Sequence, residues 1–279
     1  MSALAAAQTF LFVPGSRPDR FRKALDSAAD LVILDLEDAV ATDDREQARV
    51  AVRDLLTTTA PGRVLVRVNP EDSTDSSADL ALLEDISTRS QRVLAGVAVP
   101  KAESRDYLRR VSDASGAVPL LALVETVRGL RAAGSLLTPD PGAPHLDVRL
   151  AFGALDFAVD AGGDATILLD TARVELVLAS RLAGAAAPVE SPSAHIRDLD
   201  AVAAAAEHAV ALGFGGMLAI HPAQLAGIGA AFRPTDEQIA WARRVIEAGA
   251  GATQIDGAMV DAPVLQRARR MLATVGDAS

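Results

Sequence analysis

The 279-residue chain is long enough for one large domain or two small ones, and half of it is hydrophobic, so a sizeable core is available. Asp and Glu outnumber Lys and Arg 37 to 27, a net charge of −10, and no basic stripe of the kind that binds nucleic acid is present. Cysteine is absent and the 4 histidines are scattered, which excludes disulfides, thiolate metal sites and zinc spacing; no run reaches transmembrane length and no positive residue precedes Arg17, so a soluble cytoplasmic protein that meets no membrane is expected.

Thr9-Phe-Leu-Phe-Val13 reads as a first strand, ended by Pro14-Gly15 and followed by a helix to about Ala28 with Pro18 in its first turn. Leu31–Leu36 is the second strand, with Glu37-Asp38 behind it. Asp43 and Glu46 have capping-box spacing for a helix to about Leu56. After a turn at Ala60-Pro-Gly62, the third strand, Val64–Val68, carries Arg67. Glu71–Asp79 is polar and serine-rich, expected as a loop or lid before a helix over Leu80–Ser87. Gly96–Val99 is the fourth strand, ended by Pro100-Lys101, and a helix lies near Ser104–Asp113. Leu120–Val124 has no polar residue, so it reads as a strand buried on both faces. Glu125 closes it, and Thr126 caps a helix to Leu137. Val148–Phe152 is the sixth strand, with Asp156 soon after it. Asp170-Thr171 starts a helix to about Ala183, and the seventh strand is placed near Ala187–Ser191. A helix over Leu199–Leu212 stops at Gly213, and the eighth strand, Gly216–Ile220, ends at His221-Pro222.

Eight strand–helix alternations predict a (β/α)8 TIM barrel over residues 1–230 as the catalytic domain. A Rossmann fold is the alternative, but no strand is followed by Gly-x-Gly-x-x-Gly. Residues 231–279 form a C-terminal helical arm. Thr235 and Gln238 make a second capping box, and helices over Asp236–Ala248 and Ala262–Thr274 are joined by Gly249–Gly257. The arm's apolar face of Val245, Ile246, Val264, Leu265 and Leu272 must be buried, on its own barrel or on a neighbour's.

Barrel enzymes build their sites at the carboxyl ends of the strands. Here those ends carry Glu37-Asp38, Arg67, Lys101, Glu125, Asp156 and His221. A fully buried strand has no use for a carboxylate, so Glu125 and Asp156 are candidates to share one divalent cation; the alternative is that each caps a helix or pairs with an Arg. Arg67, inside an apolar strand, either forks onto a planar anion or forms a salt bridge to Glu37 or Asp38. Arg17, Arg20 and Lys23 at a helix start suit a phosphate or carboxylate, or are solvated surface charge. Lys101 is expected as a charged lysine rather than a Schiff base, and His221 as structural. Asp261 is, on the residues alone, the N-cap of the last helix.

The ordered set Leu11-Phe-Val-Pro-Gly-Ser-Arg-Pro-Asp-Arg-Phe21, Leu34-Asp-Leu-Glu-Asp38, Val66-Arg-Val-Asn69, Val99-Pro-Lys101, Leu123-Val-Glu-Thr126, Gly153-Ala-Leu-Asp156, Gly213-Phe-Gly-Gly-Met-Leu-Ala-Ile-His-Pro222 and Met259-Val-Asp-Ala-Pro263 resembles the citrate lyase β-subunit-like family of the HpcH/HpaI aldolase group, over nearly the whole chain. The resemblance implies a Mg2+-dependent barrel lyase, with Mn2+ as the alternative ion, acting on β-hydroxyacyl-CoA thioesters. It implies Glu125 and Asp156 as metal ligands and Arg67 and Glu125 as substrate contacts. The first βα turn, with Phe12, Arg17 and Lys23, lies near the CoA part. Asp261 reaches a neighbouring subunit's site as acid/base, in a homotrimer or hexamer. Two departures stand out: Leu155 replaces the Glu common before the metal-ligating Asp, and Glu190 stands where many members have Asp.

The expected chemistry is a Claisen-type cleavage into acyl-CoA and a 2-oxoacid, in which Arg67 stabilises the thioester enolate and Asp261 moves its proton. The alternatives are a citrate lyase β-subunit acting on citryl-acyl-carrier protein, a free pyruvate-type aldolase, and a non-catalytic binding protein.

Overall fold

A computed structural model describes every residue except 1, 59–61, 90–92, 140, 141, 143, 250–252, 256, 257 and 275–279. Most of the turn expected at Ala60-Pro-Gly62 lies outside the described residues. Eight strands close a parallel barrel in sequence order: β1 (Thr9–Pro14), β2 (Leu31–Asp35), β3 (Val64–Arg67), β4 (Leu94–Val99), β5 (Leu120–Val124), β6 (Val148–Phe152), β7 (Val189–Glu190) and β8 (Gly216–Ala219). Closure is made by β1 against β8, with Thr9 beside Met217 and Leu11 beside Ala219.

The helices are α1 (Ala3–Ala6), α2 (Phe21–Leu25), α3 (Arg45–Thr58), α4 (Ser76–Arg89), α5 (Arg105–Ala114), α6 (Val127–Leu137), α7 (Ala154–Ala161), α8 (Thr166–Leu182), α9 (Leu199–Leu212) and α10 (Leu225–Phe232). Caps legible in the sequence are in place. Thr126 Oγ1 accepts from Gly129 N–H at 2.9 Å, and α9 ends where Gly213 takes φ 101°, a left-handed stop that suits glycine.

Several expectations need correction. The first helix is short, a 3-10 turn over Pro18–Arg20 followed by α2. Glu46 pairs with Arg49 at 3.1 Å, and Asp43 lies in a 3-10 turn. Asp79 is not in a loop: it is fully buried inside α4, where it accepts from Asn69 N–H at 2.7 Å and pairs with Arg49 at 3.1 Å. Asp170 lies inside α8 rather than at its start. The sequence pattern missed α7 altogether.

Side chains alternate along a strand, and Phe10, Leu31, Ile33, Leu65, Ala98, Leu121, Leu123, Ala151, Val189 and Leu218 pack together as one core. Continuing that alternation toward the carboxyl ends brings Phe12, Asp35, Arg67 and Glu125 inward. At the opposite end Leu4 and Ala7 join the same core. Arg149, 2% exposed, donates from Nη1 to Leu4 O and Ala7 O, each at 2.7 Å, and from Nε to Ala187 O at 2.8 Å. Burial alone pushes its pKa down to about 10, and carbonyls rather than a carboxylate satisfy it.

Contacts divide the chain into two compact units, Met1–Ile228 and Gly229–Ser279. The second holds α11 (Asp236–Ala248), α12 (Ala262–Thr274) and a hairpin of β9 (Thr253–Ile255) and β10 (Ala258–Val260) that the sequence did not suggest. The Thr235–Gln238 capping box is present. The apolar face of the arm is buried within the unit itself: Val245, Leu265 and Leu272 form one cluster with Ala242, Val260 and Ala268, and Ile246 and Val264 pack against it. The sequence had placed that face on a barrel. No described helix is long and apolar enough to cross a membrane.

Removing the Arg149 side chain strands three buried carbonyls. Arg149→Ala should lower the unfolding free energy by about 3 kcal/mol in urea titrations, because each buried polar group left without a partner costs roughly 1–3 kcal/mol.

Candidate active site

Glu125 leaves the end of β5 with its side chain 3% exposed. Its Oε1 accepts from Lys101 N–H at 2.7 Å. To aim that N–H, Lys101 takes φ 43°, a left-handed conformation uncommon for a non-glycine residue, while its side chain is exposed. On the other side Gly153 presses against the carboxylate: a Cβ there would fall 2.7 Å from Oε2. Asp156 lies in the first turn of α7, directly after β6, and is exposed. Burial raises the Glu125 carboxyl to about 7; the Lys101 N–H bond opposes this and the charge of Asp156 adds to it.

Beside this pair lies a denser cluster. Arg67, 8% exposed, forks onto Asp35, with Nε to Oδ1 and Nη2 to Oδ2 both at 2.6 Å. Its Nη1 lies 2.7 Å from Glu37 Oε2 and 3.5 Å from Asp38 Oδ2. Its guanidinium sits 4.8 Å above the Phe12 ring. The structure therefore contains the salt bridges to Glu37 and Asp38 that the sequence offered as an alternative, and adds a stronger bidentate pair. Burial works against the Arg67 charge, but the Asp35 hydrogen bonds and the surrounding carboxylates more than offset it and raise its pKa.

Glu37 is 4% exposed, and burial lifts its carboxyl to about 8 against the pull of Arg67. Its Oε2 is at ion-pair distance from Arg67 but has no hydrogen-bond partner. Glu125 and Glu37 feel each other's charge, so the two clusters form one acidic site around Arg67.

Arg17 is exposed and clamped on Asp19, at 2.9 and 2.7 Å. Lys23 is exposed on α2. His221 caps the turn after β8, where its Nδ1 accepts from Ala223 N–H at 3.1 Å. Asp261 caps α12, its Oδ1 accepting from Val264 N–H at 3.1 Å. Among the described residues no group of three or more His, Cys, Asp or Glu has metal-holding geometry.

Residues 8–222 match the HpcH/HpaI aldolase/citrate lyase family. The chain belongs to this family. It is 36% identical over 290 residues, covering 100% of this chain and 99% of the relative, to a citrate lyase subunit beta-like protein of Mycobacterium tuberculosis. It is 31% identical to the L-malyl-CoA/beta-methylmalyl-CoA lyase of Rhodobacter capsulatus, covering 92% of this chain and 91% of that one. The crystal structure of protein CitE from Mycobacterium tuberculosis in complex with magnesium, acetoacetate and coenzyme A superposes with a TM-score of 0.81 at 34% identity, covering 98% and 99% of the two chains. As a member of the HpcH/HpaI aldolase/citrate lyase family, the protein is a carbon–carbon lyase.

Asp35, the partner of Arg67, was not singled out in the sequence. Its signal was available: a carboxylate inside an otherwise apolar strand needs a cation. Nothing local pointed to the Lys101 N–H.

Both raised carboxyls bind a proton more tightly folded than unfolded, where their pKa is about 4.5. Their stabilising contribution is complete below that value and lost as pH rises through about 7 and 8. In EDTA, the unfolding free energy from urea titration should therefore fall between about pH 4.5 and about pH 8 and level off above that, and Glu37→Gln should flatten the slope.

Proposed function

We propose that the protein is a Mg2+-dependent lyase that cleaves, or in reverse forms, a β-hydroxyacyl-CoA thioester such as malyl-, citramalyl- or citryl-CoA, giving an acyl-CoA and a 2-oxoacid. The observation that carries this reading is the buried Glu125 carboxylate, held near neutrality by burial with Asp156 beside it on the next strand's exit. The magnesium, acetoacetate and coenzyme A of the mycobacterial neighbour support it.

The residues fit the ion. Two carboxylates amid surplus negative charge suit a hard cation that takes oxygen ligands and leaves positions to water and substrate. Mn2+ suits the same donors. Glu125 and Asp156 would hold it, and when bound it supplies Lewis-acid polarisation of the acyl fragment's oxygens. Arg67 commits Nε and Nη2 to Asp35, so the Nη1 edge, paired with Glu37 in the absence of substrate, is the one that would exchange its partner to stabilise the enolate oxygen of the thioester fragment. Asp35 fixes the direction of that edge, and Phe12 supports the guanidinium plane. Arg17 and Lys23 supply positive charge for the CoA phosphates, with Arg17 exchanging Asp19 for phosphate. Asp261 of a neighbouring copy, in a homotrimer or hexamer, would move the proton at the enolate carbon. Residues 1–230 then act as the catalytic domain and 231–279 as an arm that serves a neighbour.

Incubation of the purified protein with free malyl-, citramalyl- and citryl-CoA should release a 2-oxoacid and a shorter acyl-CoA, and EDTA should stop it. Release of free CoA with the hydroxy acid intact would instead mean thioester hydrolysis, and turnover only on an acyl-carrier protein would change the carrier. Glu125→Gln and Asp156→Asn should each weaken Mg2+ binding at least about 10-fold by calorimetry; unchanged affinity in both places the metal elsewhere.

For Asp261, inactive Arg67→Ala and Asp261→Ala proteins are mixed under conditions of subunit exchange. Sites built from two chains recover part of the activity. No recovery, with exchange demonstrated, leaves Asp261 as a cap alone.

A further inference from the structure

Glu125 leaves Gly153 no room for a side chain, since a Cβ there would lie 2.6 Å from Glu125 Cβ. Gly153 is also the N-cap of α7, and glycine has no oxygen to offer the first-turn N–H groups; α7 has no side-chain cap of its own. The missing acceptor comes from the end of β7. Ser191 Oγ accepts from Ala154 N–H at 2.7 Å and donates to Phe152 O at 2.8 Å. One hydroxyl thus bridges the last residue of β6 and the first of α7, across the glycine and two positions before Asp156.

Ser191 is itself held in place. It is 8% exposed, and its N–H donates to Glu190 Oε1 at 2.9 Å. Arg173 of α8 clamps the Glu190 carboxylate through Nε at 2.8 Å and Nη2 at 3.2 Å, and its guanidinium lies 5.3 Å above the Phe152 ring. Other restraints on α7 act at the glycine or beyond Asp156: Gly153 N–H donates to Val124 O at 3.0 Å, Phe157 is its buried residue, and Asp160 Oδ2 accepts from Val127 N–H at 2.7 Å, whereas Leu155 and Val159 are 79% and 78% exposed.

The geometry points to Ser191 as a positioning residue of the cation site, a cap supplied from another strand that fixes the first turn of α7 and so sets Asp156 against Glu125. This rests on the proposed role of Asp156 as a metal ligand. Without the hydroxyl, Ala154 N–H and Phe152 O lose their shared partner at a glycine, the residue whose backbone resists displacement least. Asp156 then wanders from the position in which it can share an ion with Glu125. Only the hydroxyl is needed, so threonine preserves the positioning and its near-isostere valine loses it, weakening the site without removing its ligands.

The test is Mg2+ titration of the purified full chain by calorimetry, with melting temperatures in EDTA measured alongside. Ser191→Ala and Ser191→Val should bind Mg2+ about 10-fold more weakly, and Ser191→Thr within about twofold of the unaltered chain, as expected for loss or retention of a group that orients a ligand. The valine–threonine pair decides the matter even if the alanine variant fails to fold. Asp156→Asn is the reference. If it loses Mg2+ binding while the valine variant keeps full affinity, the role of Ser191 is overturned and the metal site stands. Equal weakening in the threonine and valine variants overturns the hydroxyl's part. If Asp156→Asn binds as the unaltered chain does, the metal assignment fails and this inference with it.

Discussion

Burying the Glu125 carboxylate at the end of β5 sets the terms for its surroundings. A buried carboxylate needs donors, and the nearest is the Lys101 N–H, which reaches it only because that residue accepts a left-handed backbone. The other side of the carboxylate is closed by Gly153, where any Cβ would collide. That glycine starts α7 without a cap of its own, and the helix carries Asp156. Local strain, a required glycine and a borrowed cap all follow from one buried side chain.

The two ends of the barrel solve opposite electrostatic problems. At the carboxyl ends of the strands, Asp35, Glu37, Asp38 and Glu125 gather around the guanidinium of Arg67, and Asp156 adds its charge beside Glu125. Asp35 takes its fork and Glu37 its remaining edge, so Glu125 and Asp156 are left with a surplus of negative charge that a divalent cation would neutralise. At the amino ends Arg149 is satisfied by three carbonyls and, among the described residues, pairs with no carboxylate. The first arrangement leaves unmet demand, as a binding site must. The second leaves none, as suits a plug that ties α1 to the barrel.

The C-terminal unit has its own small core and its own caps. Val245, Leu265 and Leu272 bury one another, and Arg267 stacks 5.5 Å from the Trp241 ring. Any role in assembly must therefore rest on its exposed groups. Asp261 is one of them: one carboxylate oxygen caps α12, and the side chain remains open to solvent.

The sequence by itself determined the order of the elements and most of the residues at the strand ends. Apolar runs such as Leu120–Val124, alternation along strands, and turn residues such as Gly213 are properties of neighbouring residues, and they do not depend on what lies across the sheet. For the same reason Arg67, Glu125 and Asp156 stood out as polar groups that an apolar strand does not explain. Tertiary structure decided what those groups touch. Asp35 meets Arg67 because β2 and β3 pair in a register that sets the two residues side by side, although they are far apart in the chain. Asp79 looked like part of a polar loop until Arg49 and Asn69 reached it from other elements. The helix α7 was invisible because its N-cap is a glycine, chosen by contact with Glu125, and its capping hydroxyl belongs to a different strand. Ion pairs and caps of this kind depend on register and closure, which a local pattern does not encode.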